Sequence, residues 1–271
     1  MIFFPNCKIN LGLHILRKRI DGFHDIETIF YPVALRDAFE IIQDDSINDV
    51  EFRSSGLPLN IGVENNICKK AYNLLKKDFP LLPAVKMHLH KVIPSGAGLG
   101  GGSSNGAATL QLLNQQFQLG LAEDQLLTYA AQLGSDCPFF IKNKPCVATG
   151  RGEILSDIEI DLSSYTLIIV NPGFHISTAK AFDEIIPDNS RVSINNTIKL
   201  PLREWKEVLV NDFETSIFKK YPEIANVKEQ LYLAGALYAS MTGSGSSVFG
   251  IFENGARPVF NFPDHYFIKI I

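Results

Sequence analysis

Residues 94 to 104 read Pro-Ser-Gly-Ala-Gly-Leu-Gly-Gly-Gly-Ser-Ser, the most informative stretch of the sequence. Five of the seven positions from Gly96 to Gly102 are glycine, which lets the backbone adopt positive φ angles and approach an anion closely. The alternating segment Val85 to Val92 precedes the stretch and predicts a strand. The segment Asn105 to Phe117, rich in Ala and Leu, predicts a helix that Ser103-Ser104 opens. A strand, a glycine-rich loop and a helix N-terminus in this order predict a phosphate-binding loop.

Other interpretations of this stretch fit it less well. No lysine follows the last glycine, so it is not a Walker A loop, and the glycine spacing does not give the dinucleotide-binding fingerprint. A flexible linker that ends in a serine helix cap is the alternative that needs no ligand. A linker so dense in glycine would seldom lie between a strand and a helix, so we favour the phosphate-binding loop.

The composition indicates an ordinary globular protein of 271 residues, 46% hydrophobic and 20% charged. That length allows one large core or two smaller ones. No apolar run reaches the roughly 18 residues that span a bilayer. The apolar start, Met1 to Phe4, is too short for a signal peptide. We therefore expect a cytoplasmic protein without a membrane partner. The net charge of −4 gives no electrostatic reason to expect nucleic acid as a partner.

The cysteines give no sign of a metal site or of a disulfide framework. They are scattered and form no C-x-x-C pair: Cys7, Cys68, Cys137 and Cys146. We expect reduced, buried thiols, as is usual in a cytosolic chain.

The rest of the chain predicts a mixture of strands and helices. The first forty residues read as a β-hairpin with its turn at Asp21-Gly22. Apolar residues at helical spacing predict helices over Glu64–Phe79 and Ala122–Leu133. Runs of β-forming residues predict strands at Tyr165–Val170, Ala239–Met241 and Val248–Phe252, and the polar stretch Pro187–Asn196 predicts a surface loop. This mixture predicts an α+β fold with two lobes, 1–155 and 156–271.

Several charged or polar residues lie in apolar surroundings. Asp136 follows the predicted end of a helix at Gly134, a position that suits a helix cap and a site residue equally well. Lys8 lies on a predicted strand, where lysine usually faces solvent. His88 and His90 share one strand face, but no third metal ligand is in sight, so we interpret them as surface or interlobe residues.

Six motifs in chain order resemble those of the GHMP kinases, a family of small-molecule kinases. From the N-terminal side they are Pro5-Asn-Cys-Lys-Ile-Asn-Leu11, Asp21-Gly-Phe-His24, the glycine-rich stretch 94–104, Leu133-Gly-Ser-Asp-Cys-Pro-Phe-Phe140, Asn211-Asp-Phe-Glu214 and Met241-Thr-Gly-Ser-Gly-Ser-Ser247. The matches run from residue 5 to about residue 252. The resemblance implies the two-lobed α+β fold of this family, with an N-terminal α/β lobe that carries the ATP loop and a C-terminal ferredoxin-like lobe.

The resemblance also implies a reaction and the residues that perform it. The ATP γ-phosphoryl group would pass, with Mg²⁺ as cofactor, to a hydroxyl of a small molecule that carries a cytidine diphosphate group. Asp136 is the implied general base, and Lys8 would lower the pKa of Asp136 and of the attacking hydroxyl.

The implied binding residues fall into two sets. Those implied to bind ATP are Pro94, Ser95, Gly96, Ala97, Gly98, Leu99, Gly100, Gly101, Gly102, Ser103 and Ser104, with Asn66 and Lys91 near the adenine and Ser104 also as a candidate Mg²⁺ ligand. Those implied to bind the substrate are Asn10, Phe23, His24, Thr178, Phe182, Gly243, Ser244 and Gly245.

The turn at Phe23 and His24 resembles the part of the family motif that binds cytosine. The aromatic ring would stack on the base, worth about 1–3 kcal/mol, and the histidine would read the edge of the base. Phe23 stands where tyrosine is usual, so the ring face is kept and the hydroxyl is lost. Core packing is the alternative for Phe23 and Phe182 in a chain with 19 phenylalanines.

Two other functions stay open. A GHMP kinase for homoserine, mevalonate or a sugar is one, although those substrates carry no base for the turn Asp21–His24 to stack against. A catalytically silent nucleotide-binding regulator is the other, although such a protein would not need both Lys8 and Asp136. The oligomeric state also stays open.

Overall fold

The structure is a computed structural model that describes residues 1–59, 65–183 and 185–271. Its strands are β1 (Ile2–Phe3), β2 (Asn6–Lys18), β3 (His24–Arg36), β4 (Ala38–Gln43), β5 (Glu51–Gly56), β6 (Val85–Lys91), β7 (Cys146–Thr149), β8 (Ile154–Asp157), β9 (Thr166–Asn171), β10 (Tyr238–Met241), β11 (Val248–Phe252) and β12 (Phe267–Ile270). Its helices are α1 (Ile67–Asp78), α2 (Gly101–Gln116), α3 (Glu123–Leu133), α4 (Cys137–Lys142), α5 (Thr178–Phe182), α6 (Ile194–Thr197), α7 (Trp205–Val208), α8 (Glu214–Lys220) and α9 (Pro222–Leu233). The predicted α+β class is confirmed. Within the described ranges, no helix combines the length and the apolar character needed to cross a bilayer.

The chain divides into two compact units, and each draws on separate stretches of sequence. The first unit comprises Met1–Cys7, Ala34–Ser95 and Gly100–Lys144, and the second comprises Lys8–Val33, Gly96–Leu99 and Pro145–Ile271. The predicted division into 1–155 and 156–271 is continuous, whereas most of the N-terminal hairpin groups here with the C-terminal half. The physical reason is sheet pairing, because β3 joins β7 and β7 joins β8 in one antiparallel sheet.

The first unit is a four-stranded sheet, in the order β1-β4-β6-β5, with helices α1 to α4. Strands β5 and β6 are parallel, and α1 lies between them in the chain as the crossover that parallel strands need. Strand β6 has the predicted alternation, with Val85, Met87 and Leu89 buried and His88 and His90 exposed. It delivers the chain to the start of the glycine loop.

The second unit contains two four-stranded sheets, ordered β2-β3-β7-β8 and β10-β11-β9-β12, with helices α5 to α9. Strand β9 is buried along its whole length because it lies between β11 and β12. The predicted strands at Tyr165–Val170, Ala239–Met241 and Val248–Phe252 are confirmed as β9, β10 and β11. Strand β12 was not predicted, and it completes this sheet by pairing antiparallel with β9.

Three predicted boundaries differ from the structure. Helix α2 begins at Gly101 rather than at Asn105, so part of the predicted loop is helical. Glycine serves close packing there, since a Cβ on Gly101 would lie 2.9 Å from the Cγ2 atom of Ile93. Helix α6 begins inside the predicted loop Pro187–Asn196, where the side chain of Ser193 caps it. Helix α1 begins at Ile67, and Glu64, where the predicted helix began, lies outside the described residues.

Candidate active site

The glycine loop connects β6 to α2 through three residues with positive φ. These are Gly96 at 65°, Gly98 at 76° and Gly100 at 68°. Gly100 is the N-cap of α2 and has no side chain with which to cap the helix. The first backbone N–H groups of α2 therefore stay uncapped by this residue, as an anion-binding helix N-terminus requires.

The second unit holds the loop backbone by hydrogen bonds. The carbonyl of Leu99 accepts from the backbone N–H of Lys8 at 3.0 Å. The carbonyl of Gly98 lies 3.0 Å from the hydroxyl of Thr242, which donates to it. A Cβ on Gly98 would lie 2.0 Å from the carbonyl oxygen of Thr242. Only glycine fits this position, both for its φ angle and for its space.

Lys8 and Asn10 form a buried polar cluster beside this loop. The Lys8 ammonium donates to Asn10 Oδ1 at 2.5 Å and lies 4.6 Å from the centre of the Phe30 ring. Asn10 Nδ2 donates to the hydroxyl of Thr28 at 2.9 Å, and the N–H of Asn10 donates to the hydroxyl of Thr242 at 3.1 Å. Lys8 is 3% exposed. The structure therefore contradicts the alternative of a solvent-facing lysine and brings two predicted site residues together.

The second glycine turn, Gly243–Gly245, is held from two sides. Asn211 Nδ2 donates to the carbonyls of Met241 and Gly243 at 2.7 and 2.9 Å. The hydroxyls of Thr178 and Ser244, both predicted substrate residues, lie 3.0 Å apart. These contacts bring the C-terminal motif and the start of α5 together.

This second turn also contacts the glycine loop. A Cβ on Gly243 would lie 3.2 Å from the Cα atom of Gly98. The N–H of Ser247 donates to the carbonyl of Ala97 at 3.2 Å. Both predicted glycine-rich segments therefore pack against each other within the second unit.

Asp136 occupies the N-cap position of α4, but its side chain makes no capping hydrogen bond. The structure contradicts the helix-cap alternative. The neighbouring Cys137 thiol hydrogen-bonds with Ser103 in the first turn of α2, and burial raises the pKa of Cys137 to about 12. The residue next to Asp136 is therefore hydrogen-bonded to the first turn of α2. Lys8 belongs to the second unit and Asp136 to the first, so their pairing stays a prediction.

A buried ion pair lies where β6 ends and α2 begins. Asp37 Oδ1 accepts from the N–H groups of Val92 and Ile93 at 2.8 and 2.9 Å. Asp37 Oδ2 accepts from Asn105 Nδ2 at 2.9 Å and from the Lys91 ammonium. Burial lowers the pKa of Lys91 and the attraction of Asp37 opposes this. The Lys91 side chain is thus bound internally, and its predicted contact with ATP stays a prediction.

Other predicted nucleotide residues have identifiable surroundings. Asn66 is the N-cap of α1, where its Oδ1 accepts from the N–H of Cys68 at 2.8 Å, so its capping role is confirmed and its place near the adenine stays a prediction. Ser104 is buried in the first turn of α2. The Ser95 hydroxyl is buried and has no partner among the described residues. A Cβ on Gly102 would meet nothing within 4 Å. An unsatisfied hydroxyl and open space beside the helix N-terminus suit a phosphate-bearing ligand.

The residues predicted to bind the base form an aromatic group. The rings of His24 and Phe182 are stacked with centroids 4.8 Å apart and planes 12° apart, and Phe182 meets Phe213 edge to face. Phe23 is 52% exposed, and the Arg151 guanidinium lies 4.9 Å from its ring centre. Burial lowers the pKa of His24. The core-packing alternative is contradicted for Phe23, while Phe182 packs partly against the core.

Three residues contribute to the site without having been predicted to do so. Thr242 and Asn211 lie in quoted motifs, but their roles depend on contacts such as the one between Thr242 and Asn10, 232 positions apart. Asp37 lies in no quoted motif. A lone acidic residue just before an apolar strand was the only signal available for it.

Known proteins resemble the chain along most of its length. The family model described as GHMP kinases N terminal domain matches residues 66–144, and the model described as GHMP kinases C terminal matches residues 198–261. The chain is 51% identical over 271 residues to 4-diphosphocytidyl-2-C-methyl-D-erythritol kinase of Azobacteroides pseudotrichonymphae, covering 99% of this chain and 100% of that protein. It is 52% identical over 254 residues to the kinase of the same name from Bacteroides thetaiotaomicron, covering 93% of this chain and 92% of that protein.

A solved structure agrees with these relatives. The crystal structure of 4-(cytidine 5'-diphospho)-2C-methyl-D-erythritol kinase matches with a TM-score of 0.79 and 28% identity, covering 94% of this chain and 91% of the other. The predicted two-lobed fold class is thereby confirmed. The chain belongs to the GHMP kinase family.

Proposed function

We propose that the protein is an ATP-dependent kinase of the cytoplasm that phosphorylates the 2-hydroxyl of 4-diphosphocytidyl-2-C-methyl-D-erythritol. The product would be the 2-phosphate, an intermediate of non-mevalonate isoprenoid precursor biosynthesis. The observation that carries the proposal is the hydrogen-bonded series that joins Lys8, Asn10 and Thr242 to the carbonyl of Gly98 in the glycine loop. It connects the proposed catalytic lysine to the proposed ATP loop through buried side chains. Relatives with 51 and 52% identity that carry this activity in their names support the choice of substrate.

The proposed chemistry needs one proton transfer and one phosphoryl transfer. Asp136 removes the proton from the 2-hydroxyl, whose oxygen forms a bond to the γ-phosphorus of ATP. The bond between that phosphorus and the bridging oxygen breaks, and ADP leaves with the electron pair. Lys8 stabilises the developing alkoxide by its charge. Asn10 holds the Lys8 ammonium in place through the hydrogen bond of 2.5 Å, so little reorganisation is needed during the reaction.

The proposed nucleotide site uses backbone groups more than side chains. The N–H groups of the glycine loop and the first turn of α2 would bind the ATP phosphates, toward which the helix dipole is favourable. The Ser95 hydroxyl, buried without a partner among the described residues, is available to a phosphate oxygen. Mg²⁺ would arrive with the phosphates and neutralise the charge that develops on them, with Ser104 as its candidate protein ligand.

The proposed substrate site recognises cytosine. Phe23 and Phe182 would stack on the base, and His24 would hydrogen-bond to its edge. Because burial lowers the pKa of His24, we take its imidazole as neutral near pH 7, with one nitrogen that donates and one that accepts. Thr178 and Ser244, whose hydroxyls lie 3.0 Å apart, would contact the diphosphate.

The test is release of ADP from Mg-ATP by the purified protein with four alcohols offered in parallel. These are 4-diphosphocytidyl-2-C-methyl-D-erythritol, homoserine, mevalonate and galactose, and we expect turnover with the cytidyl compound alone. Asp136→Asn should lower kcat by at least about a hundredfold, as loss of a general base does. The matched control Asp124→Asn, at the exposed start of α3, should leave kcat unchanged.

Each other result has a defined meaning. Turnover with another alcohol alone would refute the proposed substrate and keep the kinase. ATP binding without turnover of any of the four would refute the kinase and favour a nucleotide-binding regulator.

A further inference from the structure

The second unit contains a cavity of about 750 Å³ that the proposed reaction does not use. We call it the His14 cavity. It is lined by His14 on β2, by residues of the segment 191–200 and by residues of the segment 207–215. None of the residues predicted to bind ATP or substrate lines it.

His14 is the unsatisfied polar group of this cavity wall. The residue is 2% exposed, and neither ring nitrogen has a hydrogen-bond partner among the described residues. A neutral imidazole offers one donor and one acceptor, and buried polar groups in proteins are normally paired. A histidine that is buried, unpaired and at a cavity wall is a group that a ligand can satisfy.

The two buried carboxylates of the wall are already engaged within the protein. Asp212 accepts from the N–H of Ile15 at 2.8 Å and from the Arg191 guanidinium. Glu214 accepts from the N–H of Met241 at 2.8 Å and pairs with a lysine, Lys228, at 2.6 Å. The requirement for new hydrogen bonds therefore concentrates at His14.

Burial favours the neutral form of His14, although most of the charges around the ring oppose it. Burial is the largest cause and lowers the pKa of His14. The carboxylates of Asp212, Glu27 and Asp188 raise it, and Arg191 lowers it further. A charged ligand group at this buried end would lie beside a neutral ring, where burial of an unpaired charge is strongly unfavourable.

We propose that the His14 cavity is a binding site for a small uncharged molecule with an apolar body and one hydroxyl group. The hydroxyl would hydrogen-bond to the His14 ring. The apolar body would lie against the aliphatic side chains of the wall, Val192, Leu200, Val208 and Val210. The volume accommodates a molecule of ordinary ligand size, since such sites occupy about 300–1,000 Å³.

Occupancy of the cavity should affect the glycine turn, a consequence that rests on the proposed function. Asn211 lies in the cavity wall and donates both amide hydrogens to the carbonyls of Met241 and Gly243. The backbone on either side of Asn211 pairs with β2, since Leu13 donates to Val210 and Asp212 donates to Leu13, both at 2.9 Å. A ligand that orders this wall should therefore change the Michaelis constant of the kinase substrate.

The test is direct binding to the full chain without ATP or kinase substrate, so that it does not depend on the proposed function. The probes share one apolar body: 4-phenyl-1-butanol, 4-phenylbutyrate and 4-phenylbutylammonium. We expect the alcohol to bind saturably by calorimetry and more tightly than either charged probe. We also expect it to shift the ring ¹⁵N resonances of His14.

Two variants and a control decide the location. His14→Phe removes both ring nitrogens and should weaken alcohol binding about fivefold, the equivalent of one net hydrogen bond. Thr215→Trp, at an exposed position of the wall, should occupy part of the cavity and weaken binding. His265→Phe, exposed and outside the cavity, should change nothing. Absence of alcohol binding, equal binding of all three probes, or binding that neither cavity variant weakens would each overturn the proposal.

Discussion

Replacement of Asp37 by asparagine should destabilise the protein strongly, although the two side chains have nearly the same shape. The Asp37 and Lys91 side chains are 0% and 1% exposed. The amide oxygen of the new side chain could still accept from the N–H groups of Val92 and Ile93. Its amide nitrogen, however, would face the Lys91 ammonium and the amide nitrogen of Asn105. Three donors would then meet, and only Asn105 Oδ1, 3.4 Å from the ammonium, would accept from one of them. Removal of one partner from a buried pair costs about 3–5 kcal/mol, a large part of the roughly 5–15 kcal/mol that stabilises a typical domain.

The double variant Asp37→Asn with Lys91→Met isolates the interaction. Each single change leaves a buried group without its partner, so the two losses should sum to about 6–10 kcal/mol if they were independent. The double variant leaves no buried charge and only two facing amide nitrogens, the new one at position 37 and that of Asn105, so we expect a loss of about 1–3 kcal/mol. Urea unfolding followed by circular dichroism measures the free energy of unfolding of all three variants.

Asp44 provides the matched control. It pairs with Lys86, a residue of β6, at 2.5 Å, but both side chains are partly exposed. Asp44→Asn should therefore destabilise far less than Asp37→Asn. Two results would show that the buried pair does not stabilise the start of the glycine loop as described. One is a free energy of unfolding that Asp37→Asn lowers no more than Asp44→Asn does. The other is a double variant whose loss equals the sum of the losses in Asp37→Asn and Lys91→Met.

Three further predictions concern other parts of the molecule. Gly98→Ala should raise the Michaelis constant for ATP and lower the melting temperature, because its Cβ would lie 2.0 Å from the Thr242 carbonyl oxygen. The control is Gly255→Ala, at nearly the same φ but with open space around it, which should change the melting temperature much less. Burial lowers the pKa of His14 below its usual 6.5. Below pH 6.5 the unfolded chain therefore binds a proton at this residue that the native chain does not. As the pH falls, the free energy of unfolding decreases by at most about 1.4 kcal/mol per pH unit. Between pH 7 and pH 5 the melting temperature of His14→Phe should therefore fall less than that of the parent protein. An equal fall in both would contradict this. Phe23→Leu should raise the Michaelis constant of the cytidyl substrate about fivefold or more by loss of stacking, while the constant for ATP stays the same; equal changes in both would argue against a base-stacking role.

Local patterns predicted the elements whose burial follows a simple period. The hairpin, the alternation in β6 and the apolar run of β9 were all visible, because side chains on strands alternate and a central strand is apolar throughout. The start of α2 was not visible, because the glycines of 101–102 resemble a loop although the helix already begins at Gly101. Strand β12 was missed because its pairing with β9 depends on a distant register.

In the candidate site, too, the sequence predicted residues of short motifs but not the contacts between residues far apart in the chain. The resemblance to the family motifs pointed to Lys8, Asn10 and the two glycine-rich segments, which the structure brings together. The hydroxyl of Thr242 and the carboxylate of Asp37 act through tertiary contacts that no spacing shows. The unpaired ring of His14 was likewise invisible, since a histidine on an alternating strand gives no sign of whether a partner lies opposite it.

The long separation between Asn10 and Thr242 has a consequence for protein synthesis. Strand β2, which carries Lys8 and Asn10, is made early. The Thr242 hydroxyl, which contacts Asn10 and the Gly98 carbonyl, follows 232 residues after Asn10. At about 5–20 residues per second, a ribosome needs roughly 10–50 s to cover that distance. For the last 144 residues of this interval the nascent chain would carry its glycine loop without the contact that holds it. The proposed catalytic arrangement would therefore form only after Thr242 has emerged, and chains that stop before this residue should not consume ATP.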